Sequence, residues 1–215
     1  MINRLTTFFL GLLYTNFAWG YDLIASIVSI GHWNNWVRTI IPLIIGPNVL
    51  ELGHGPGHLQ RSLAANNFSV YGIDKSGQMS RITKKRLAIF KTGNKCVSGL
   101  AQQLPFINNH FNTIVATFPT EYIYDPETLF EIKRVLCPDG LLVILLAVWI
   151  SEHSLAGASL ANVYRLTGQA PDKNLDEDGY TSPLESIGFK VEIQYHDFNG
   201  DTLLVLLAKK INSTG

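Results

Sequence analysis

The sequence predicts one α/β domain: a seven-stranded, mostly parallel sheet with helices on both faces, preceded by an N-terminal helical lid. Three observations support this fold class. From Asn48 onward, short apolar runs alternate with helical patterns, which is typical of βα units and a parallel sheet. A glycine-rich turn follows the first of these runs. Residues Leu141–Val148 are entirely apolar, as expected for a strand that is buried on both faces.

Residues 1–45 are predicted to form the helical lid, because apolar residues are too dense there for a loop. Aromatic side chains at such density need a surface to bury against, and the top of the sheet is an apolar partner. A membrane anchor is disfavoured, since the apolar stretch Leu5–Tyr14 is shorter than the about 20 residues that a spanning helix needs. A helix that lies on a membrane surface stays an alternative. The aromatic residues are Phe8, Phe9, Tyr14, Phe17, Trp19, Tyr21, Trp33 and Trp36.

Residues 46–215 are predicted to form the sheet-bearing domain, with a polar insertion at about 149–182. Strands are predicted at Asn48–Leu52, Phe68–Ile73, Lys95–Ser98, Thr113–Thr117, Leu141–Val148, Val191–Tyr195 and Thr202–Ala208. Helices are predicted from the glycine turn to about Asn66, over Ser76–Phe90, over Asp125–Leu136 with Pro138 and Gly140 as stop signals, and in a stretch ending at Leu184–Gly188.

Composition and charge narrow the class of function. The chain has 215 residues, enough for one full domain, and an apolar fraction of 47%, which indicates a globular protein. Lys and Arg total 17, as do Asp and Glu, so no global basic field favours a nucleic-acid partner. Cys96 and Cys137 form no C-x-x-C pair; we therefore expect two core thiols and no metal site. These features favour a cytoplasmic enzyme that acts on a small molecule.

The segment from Val49 to Gly57 carries the clearest ligand signal. A strand ends in Glu51, and glycines follow at positions 53, 55 and 57. Glycine is needed where a nucleotide-like ligand lies against the backbone at the carboxyl end of a strand. A dinucleotide-binding turn has the spacing G-x-G-x-x-G, which would require glycine at His58. The observed spacing therefore disfavours an NAD-dependent oxidoreductase, and a tight turn without a ligand stays the structural alternative.

Asp74 closes the second predicted strand and supports a nucleoside ligand. A carboxylate at this position can accept hydrogen bonds from both ribose hydroxyls. Nucleotide-binding enzymes of more than one class place an acid here, so Asp74 does not distinguish among them. Its alternative role is the N-cap of the helix that follows Asp74-Lys75-Ser76.

Further segments resemble, in family order, the ubiquinone/menaquinone-biosynthesis-type methyltransferases, which are class I enzymes dependent on S-adenosylmethionine (SAM). The glycine spacing is similar to motif I of that class. The resemblance covers roughly residues 14–210 and implies a Rossmann-like fold, SAM as cofactor and a small-molecule methyl acceptor. The segments are Tyr71–Met79 (G-I-D-x-S-x-x-M), Gly99–Phe106 with Phe111-Asn112 (G-D-A-E-x-L-P-F…F-D), Glu131–Gly140 (E-x-x-R-V-L-x-P-G-G) and Gly188–Val191 (G-F-x-V).

The resemblance also implies roles for individual residues. Glu51 and Gly53 are expected near the methionine end of the cofactor, Asp74 at the ribose, and Met79 and Ala101 around adenine. The family's acid that reaches adenine is Leu100 here, so a carboxylate contact to the adenine amine is missing. Met79 could equally fill the core. The full set of expected cofactor residues is Glu51, Gly53, His54, Gly55, Gly57, Asp74, Lys75, Met79, Leu100, Ala101 and Thr117.

The catalytic and acceptor-binding residues are less determined. Glu121 and Tyr122 follow the strand that ends at Thr117 and are candidates for contact with the acceptor, while His32 is a candidate in the lid. No general base is identified. An aromatic lid favours an apolar or aromatic acceptor, for which we expect contacts from Tyr21, Trp33, Trp36, Pro119 and Tyr122. A SAM-binding or membrane-associated module without activity stays the alternative.

Overall fold

The structure is a computed structural model that describes residues 33–90, 95–149, 151 and 177–211. Its strands are β1 (Asn48–Leu52), β2 (Ser69–Asp74), β3 (Lys95–Ser98), β4 (Phe111–Thr117), β5 (Leu136–Trp149), β6 (Phe189–Phe198) and β7 (Asp201–Lys210). The described helices are α1 (Trp33–Arg38), α2 (His58–Ala65), α3 (Gly77–Leu87), α4 (Pro126–Val135) and α5 (Glu177–Ser186), with 3₁₀ turns at Ile41–Leu43 and Glu121–Tyr124.

The seven strands form one sheet in the order β3-β2-β1-β4-β5-β7-β6. Strands β1 to β5 pair in parallel, and β7 runs antiparallel between β5 and β6. The predicted fold class is therefore confirmed. Because β1 pairs with β2 on one side and with β4 on the other, the strand order reverses at β1. Ligands of open α/β sheets bind at the carboxyl ends of the strands at such a point.

Helices cover both faces of the sheet, and each face has its own apolar core. On one face, α1, α2 and α3 contribute buried residues such as Trp36, Leu63 and Leu87. On the other face, α4 and α5 contribute Leu129 and Leu184 among others. The sheet is thus shielded from water on both sides, which explains the continuous apolar run in β5.

Turn and cap residues set the element boundaries. Ser76 accepts a hydrogen bond from the Met79 N–H at the start of α3, and Asp125 accepts one from Glu127 at the start of α4, where Pro126 follows. At the turn between β6 and β7, Asn199 and Gly200 both have positive φ, of 55° and 88°, as a tight hairpin requires.

Two local predictions need correction. Strand β5 begins at Leu136, earlier than predicted, because Leu136 is already extended and pairs with Phe111 of β4. The prediction of two core thiols is correct for Cys96, which is buried, and wrong for Cys137, which is half-buried. The Cys137 thiol instead donates a hydrogen bond to the Asn109 carbonyl. Both cysteines are free.

Helix α1 packs into the domain. Trp36 is 1% exposed, and its indole N–H donates a hydrogen bond of 2.9 Å to the Asp201 carboxylate at the start of β7. Residues 1–32 of the predicted lid and residues 152–176 of the predicted insertion lie outside the described residues. The lid therefore stays a prediction. No helix within the described ranges is long and apolar enough to cross a membrane.

Candidate functional site

The carboxyl ends of β1, β2 and β4 meet at one edge of the sheet, which we call the switch-point crevice. Leu52 at the end of β1 pairs with Ile73 of β2 and with Ala116 of β4. The residues that follow these partners are Asp74 and Thr117. The sheet register therefore brings the glycine loop, Gly53–Gly57, to the same edge as the acid at the end of β2.

All three glycines of the glycine loop have positive φ, of 70° at Gly53, 50° at Gly55 and 81° at Gly57. Side chains rarely adopt this conformation, so the loop needs glycine for its path alone. The space around them differs. A Cβ at Gly53 would lie 2.9 Å from the Tyr122 hydroxyl, and one at Gly57 would lie 2.6 Å from Thr83. A Cβ at Gly55 would meet no atom within 4 Å. Gly55 is thus the glycine that faces open space.

Side chains beneath the glycine loop hold it in place. The Gly55 carbonyl accepts hydrogen bonds from the Thr83 hydroxyl at 2.9 Å and from His54 Nδ1 at 2.8 Å. The Pro56 carbonyl accepts one from Arg86 at 2.6 Å. Burial lowers the pKa of His54, so the ring is neutral at pH 7 and donates through Nδ1. His54 therefore supports the loop that carries Gly55.

Asp74 is 3% exposed and is joined to the glycine loop. One carboxylate oxygen accepts the Gly55 N–H at 2.8 Å, and the other accepts the Ser76 N–H at 2.8 Å. Ser76, not Asp74, is the N-cap of α3. The helix-cap alternative for Asp74 is therefore excluded. A carboxylate can accept about four hydrogen bonds, which is more than these two.

Glu51 is a buried acid at the switch-point crevice with an incomplete set of hydrogen bonds. It is 2% exposed, and one of its carboxyl oxygens, Oε2, has no hydrogen-bond partner. Gln60 of α2 hydrogen-bonds the carboxyl and also donates to the Tyr71 carbonyl at 3.0 Å. Burial raises the pKa of Glu51 to about 8, with a smaller contribution from nearby Asp74. Glu51 is therefore a neutral acid at pH 7 in the protein alone.

Replacement of Glu51 by Gln is expected to stabilise the ligand-free protein at alkaline pH. The raised pKa of Glu51 means that its contribution to stability is complete below pH 4.5 and is lost as pH rises to about 8. Glutamine does not ionise, so the variant does not lose stability in this way as pH rises. Thermal melts of the variant and the wild type at pH 5 and pH 8 should show that Glu51→Gln raises Tm more at pH 8 than at pH 5. Each kcal/mol of free energy of unfolding corresponds to a Tm change on the order of 2–4 °C.

The matched control is Glu121→Gln, because Glu121 is exposed and lies on the 3₁₀ turn beside the crevice. It should show the same Tm difference from wild type at both pH values. An equal effect of Glu51→Gln at pH 5 and pH 8 would contradict a neutral, buried Glu51.

The end of β4 carries an aromatic group that the sequence analysis did not assign. Phe118 has a φ of +47°, which is rare for a residue with a large side chain. Its N–H donates to the Leu145 carbonyl at 2.7 Å, and its ring contacts Trp33 of α1 with centroids 4.5 Å apart. Strained backbone of this kind clusters at functional sites. Phe118 and Trp33 thus form an aromatic wall beside the glycine loop.

A small cavity of about 30 Å³ lies between α1 and the glycine loop. Its lining includes several predicted residues, namely Trp33, Glu51, Gly53, His54, Gly55 and Thr117. It also includes four residues outside the predicted set, namely Val37, Pro56, His58 and Leu59. The cavity has about the volume of one water. A nucleoside ligand is larger by an order of magnitude, so it must extend beyond this cavity.

The other predicted site residues differ in burial and in their contacts. Met79 is fully buried and Ala101 is buried, while Leu100 is 57% exposed. Tyr122 donates its hydroxyl to the Leu52 carbonyl at 3.2 Å, directly over Gly53. Lys75 and Glu121 are exposed, and Pro119 is half-buried. Trp36 belongs to the core, and Gly57 is the N-cap of α2. Tyr21 and His32 lie outside the described residues.

A second and much larger cavity, of about 840 Å³, lies elsewhere. It is an open groove between α4 and the end of α5, lined by residues such as Phe130, Lys133 and Lys210. Asn109 precedes β4 and Lys210 ends the antiparallel β7, so this groove is at the amino ends of the parallel strands. Ligands of this sheet architecture bind at the opposite edge. Volume alone therefore does not identify the functional site.

Comparison with known proteins finds similarity to methyltransferases. Residues 50–144 match a family model described as a methyltransferase domain. A demethylmenaquinone methyltransferase from Thermotoga maritima is 36% identical over 139 residues, which are 62% of this chain and 59% of the relative. A ubiquinone/menaquinone biosynthesis C-methyltransferase from Legionella pneumophila (strain Corby) is 28% identical over 92% of this chain and 89% of the relative.

Solved structures of similar fold include SAM-dependent methyltransferases. A SAM-dependent methyltransferase from Aquifex aeolicus matches with a TM-score of 0.60 and 18% identity, over 83% of this chain and 89% of that one. The phosphoethanolamine N-methyltransferase 2 of Haemonchus contortus, solved with SAM, matches with a TM-score of 0.60 and 16% identity. That match covers 85% of this chain and 53% of the other. At these identities the likeness concerns the fold.

Proposed function

We propose that this chain, which belongs to the class I SAM-dependent methyltransferases, transfers a methyl group from SAM. The proposed acceptor is a small aromatic or apolar molecule. The observation that carries the proposal is the glycine loop at the switch-point crevice. Gly55 of this loop faces open space, and its N–H donates a hydrogen bond to the Asp74 carboxylate. The names of the curated relatives support a quinol-like acceptor, since they describe methylation of quinone precursors. A phenol or a lipid-like molecule stays an alternative acceptor.

The residues of the switch-point crevice fit the cofactor. Gly55 leaves room for a ligand against the backbone, Asp74 offers a carboxylate for ribose hydroxyls, and Glu51 has an unpaired buried oxygen for a polar or cationic group. SAM supplies an electrophilic methyl group on a sulfonium, which is already a good leaving group. The protein then mainly needs to align the acceptor and exclude water. Met79 and Ala101 are proposed to lie around adenine.

The acceptor is proposed to lie against the aromatic wall of Trp33 and Phe118. Both rings are half-buried and contact each other beside the glycine loop. Flat aromatic surfaces favour an aromatic acceptor. Tyr122 is proposed to position Gly53 and the acceptor and not to act as a base. Burial raises the pKa of its hydroxyl above the ordinary value, and the hydroxyl donates to Leu52.

Calorimetric titration tests the proposal. The protein is expected to bind SAM and its demethylated product, and not NADH. A screen of methyl acceptors with labelled SAM should then show transfer to quinols or phenols in preference to charged amines. Binding of NADH without binding of SAM would contradict the proposal. Binding of SAM with no transfer to any quinol, phenol or lipid amine would favour a module without activity.

The Leu100→Asp variant tests where adenine lies. Leu100 is 57% exposed in the loop between β3 and β4, so a carboxylate there costs little stability. If adenine lies beside Ala101, the new carboxylate can accept a hydrogen bond from its amine, and SAM affinity should rise by up to about tenfold or stay unchanged. Calorimetry measures the change.

The matched control is Ile107→Asp, in the same loop and 73% exposed, which adds the same charge away from Ala101. It should leave SAM affinity unchanged. A large loss of affinity in Leu100→Asp alone, with an unchanged melting curve, would show that adenine binds elsewhere.

A further inference from the structure

We propose that the Glu51 carboxyl gives up its proton to solvent when the positively charged cofactor binds. A cationic group of SAM then takes the place of that proton beside the carboxylate. The inference rests on the proposed function, since it needs SAM to bind at the switch-point crevice. It adds a property of this chain: cofactor binding is coupled to proton release, and the affinity for SAM depends on pH through one named residue.

The first support is the geometry of Glu51. The residue lies in the middle of the sheet, paired with Gly72 of β2 and Val115 of β4, and is 2% exposed. Its oxygen Oε2 has no hydrogen-bond partner, and the Gln60 amide is the partner of the carboxyl. A buried carboxylate with so few partners costs much more free energy than a protonated carboxyl in the same place.

The second support is the set of ionisable groups that surround Glu51. The pKa of Glu51 is shifted by burial, by the Gln60 hydrogen bond and by Asp74, and by no positively charged group of the described residues. Asp74 is an acid and its charge opposes ionisation of Glu51, while burial keeps the His54 ring neutral. Burial also raises the pKa values of Cys96, to about 12, and Tyr122, so both stay protonated. The groups that face Glu51 from the packed elements are Asp74 of β2, Cys96 of β3, His54 of the glycine loop, Tyr122 of the 3₁₀ turn and the uncharged Gln60 of α2. His58, also of α2, lines the same cavity as Glu51.

The third support is access. Glu51 lines the same cavity as Gly53, Gly55 and Thr117, so the residue borders the space that a ligand at the glycine loop would enter. A cationic group there would favour the carboxylate in a medium of low dielectric constant. The buried carboxyl then ionises. Its proton leaves to solvent, and the electron pair of the O–H bond stays on the carboxylate.

The coupling predicts how SAM affinity changes with pH. A group that loses its proton on binding makes the dissociation constant fall as pH rises, by at most tenfold for each pH unit. The slope should persist up to about pH 8, where Glu51 ionises in the free protein as well. Glu51→Gln cannot release a proton, so its affinity should be flat with pH apart from titration of the ligand. The ligand's α-amino group titrates near pH 8 in both proteins, so measurements between pH 6 and pH 7.5 isolate Glu51.

Proton release can be counted directly. SAM is titrated into the whole protein at pH 7 in phosphate and in Tris, two buffers with different ionisation enthalpies. The difference in binding heat gives the number of protons released. We expect nearly one more proton for the wild type than for Glu51→Gln. Equal numbers for the two proteins would overturn the inference. Absence of SAM binding to the wild type would instead contradict the proposed function.

A second measurement avoids the variant. Glutamate labelled with ¹³C at the side-chain carboxyl reports ionisation through its chemical shift. In the wild type at pH 7, one buried carboxyl signal should have the shift of a protonated acid and should move to that of a carboxylate when SAM is added. The inference would be overturned if no glutamate signal has the shift of a protonated acid without SAM, or if that signal does not move when SAM is added, even if Glu51→Gln fails to bind.

Discussion

Replacement of Gly55 by Val is expected to abolish SAM binding and to leave the protein folded. A Cβ at Gly55 would meet no protein atom within 4 Å, so a valine side chain would project into the space proposed for the ligand against the backbone. The positive φ of 50° adds a strain of about 1–2 kcal/mol, which is small beside a typical stability of about 5–15 kcal/mol. Calorimetry should show a loss of SAM affinity of more than about a hundredfold, or about 3 kcal/mol.

The matched control is Gly200→Val, at the turn between β6 and β7. Gly200 has a φ of 88°, and a Cβ there would make an ordinary contact of 3.5 Å with Ser151. It therefore carries a similar backbone strain away from the glycine loop. We expect both variants to lose Tm by similar amounts, and only Gly55→Val to lose SAM. Normal SAM affinity in Gly55→Val would mean that the ligand does not contact the glycine loop.

Replacement of Asp74 by Ala is expected to weaken SAM binding and to destabilise the protein as well. The side chain accepts the Gly55 and Ser76 N–H groups, so its removal leaves two donors without this acceptor at a cost of about 1–3 kcal/mol each if they stay dry. The same change removes the hydrogen bonds proposed for the ribose. We expect a loss of SAM affinity of about tenfold to a hundredfold, with a lower Tm, measured by calorimetry and thermal melts.

Asp201→Ala separates the two effects of that replacement. Asp201 is also buried and also accepts two N–H groups, from Trp36 at 2.9 Å and from Ser151 at 3.0 Å. It is expected to lower Tm in a similar way and to retain SAM affinity. If both aspartate variants lost SAM affinity equally, the loss in Asp74→Ala would reflect destabilisation and not a contact with the ribose.

The fold was predictable because its signals are local. Apolar runs of strand length alternate with helical patterns, which predicts a mostly parallel sheet. The order of the strands comes from the structure alone. The glycine loop was equally predictable, since glycines at alternate positions after a strand are typical of a turn whose backbone needs positive φ and close approach of a ligand. Strand β5 shows the limit of local signals: its start at Leu136 depends on pairing with Phe111, which periodicity does not encode.

The site was predictable in part. The residues at strand ends, such as Glu51 and Asp74, do meet at one edge, because parallel strands end on the same side of a sheet. Trp36 shows why side-chain roles were harder to predict. It was expected to contact the acceptor, yet in the fold it is a core residue bonded to Asp201, far away in the sequence. Phe118 had no sequence signal, because its positive φ and its contact with Trp33 arise only in the folded chain.

The amino-acid sequence by itself determined the α/β architecture, the place of the glycine loop and the acid that follows β2, since each depends on residues adjacent in the chain. The tertiary structure alone decided which glycine faces open space, which residue caps α3 and which buried oxygen has no partner. Gly53 and Gly57 are enclosed by Tyr122 and Thr83, whereas Gly55 is not. Such differences depend on contacts between residues that are distant in sequence, and packing of the whole sheet sets those contacts.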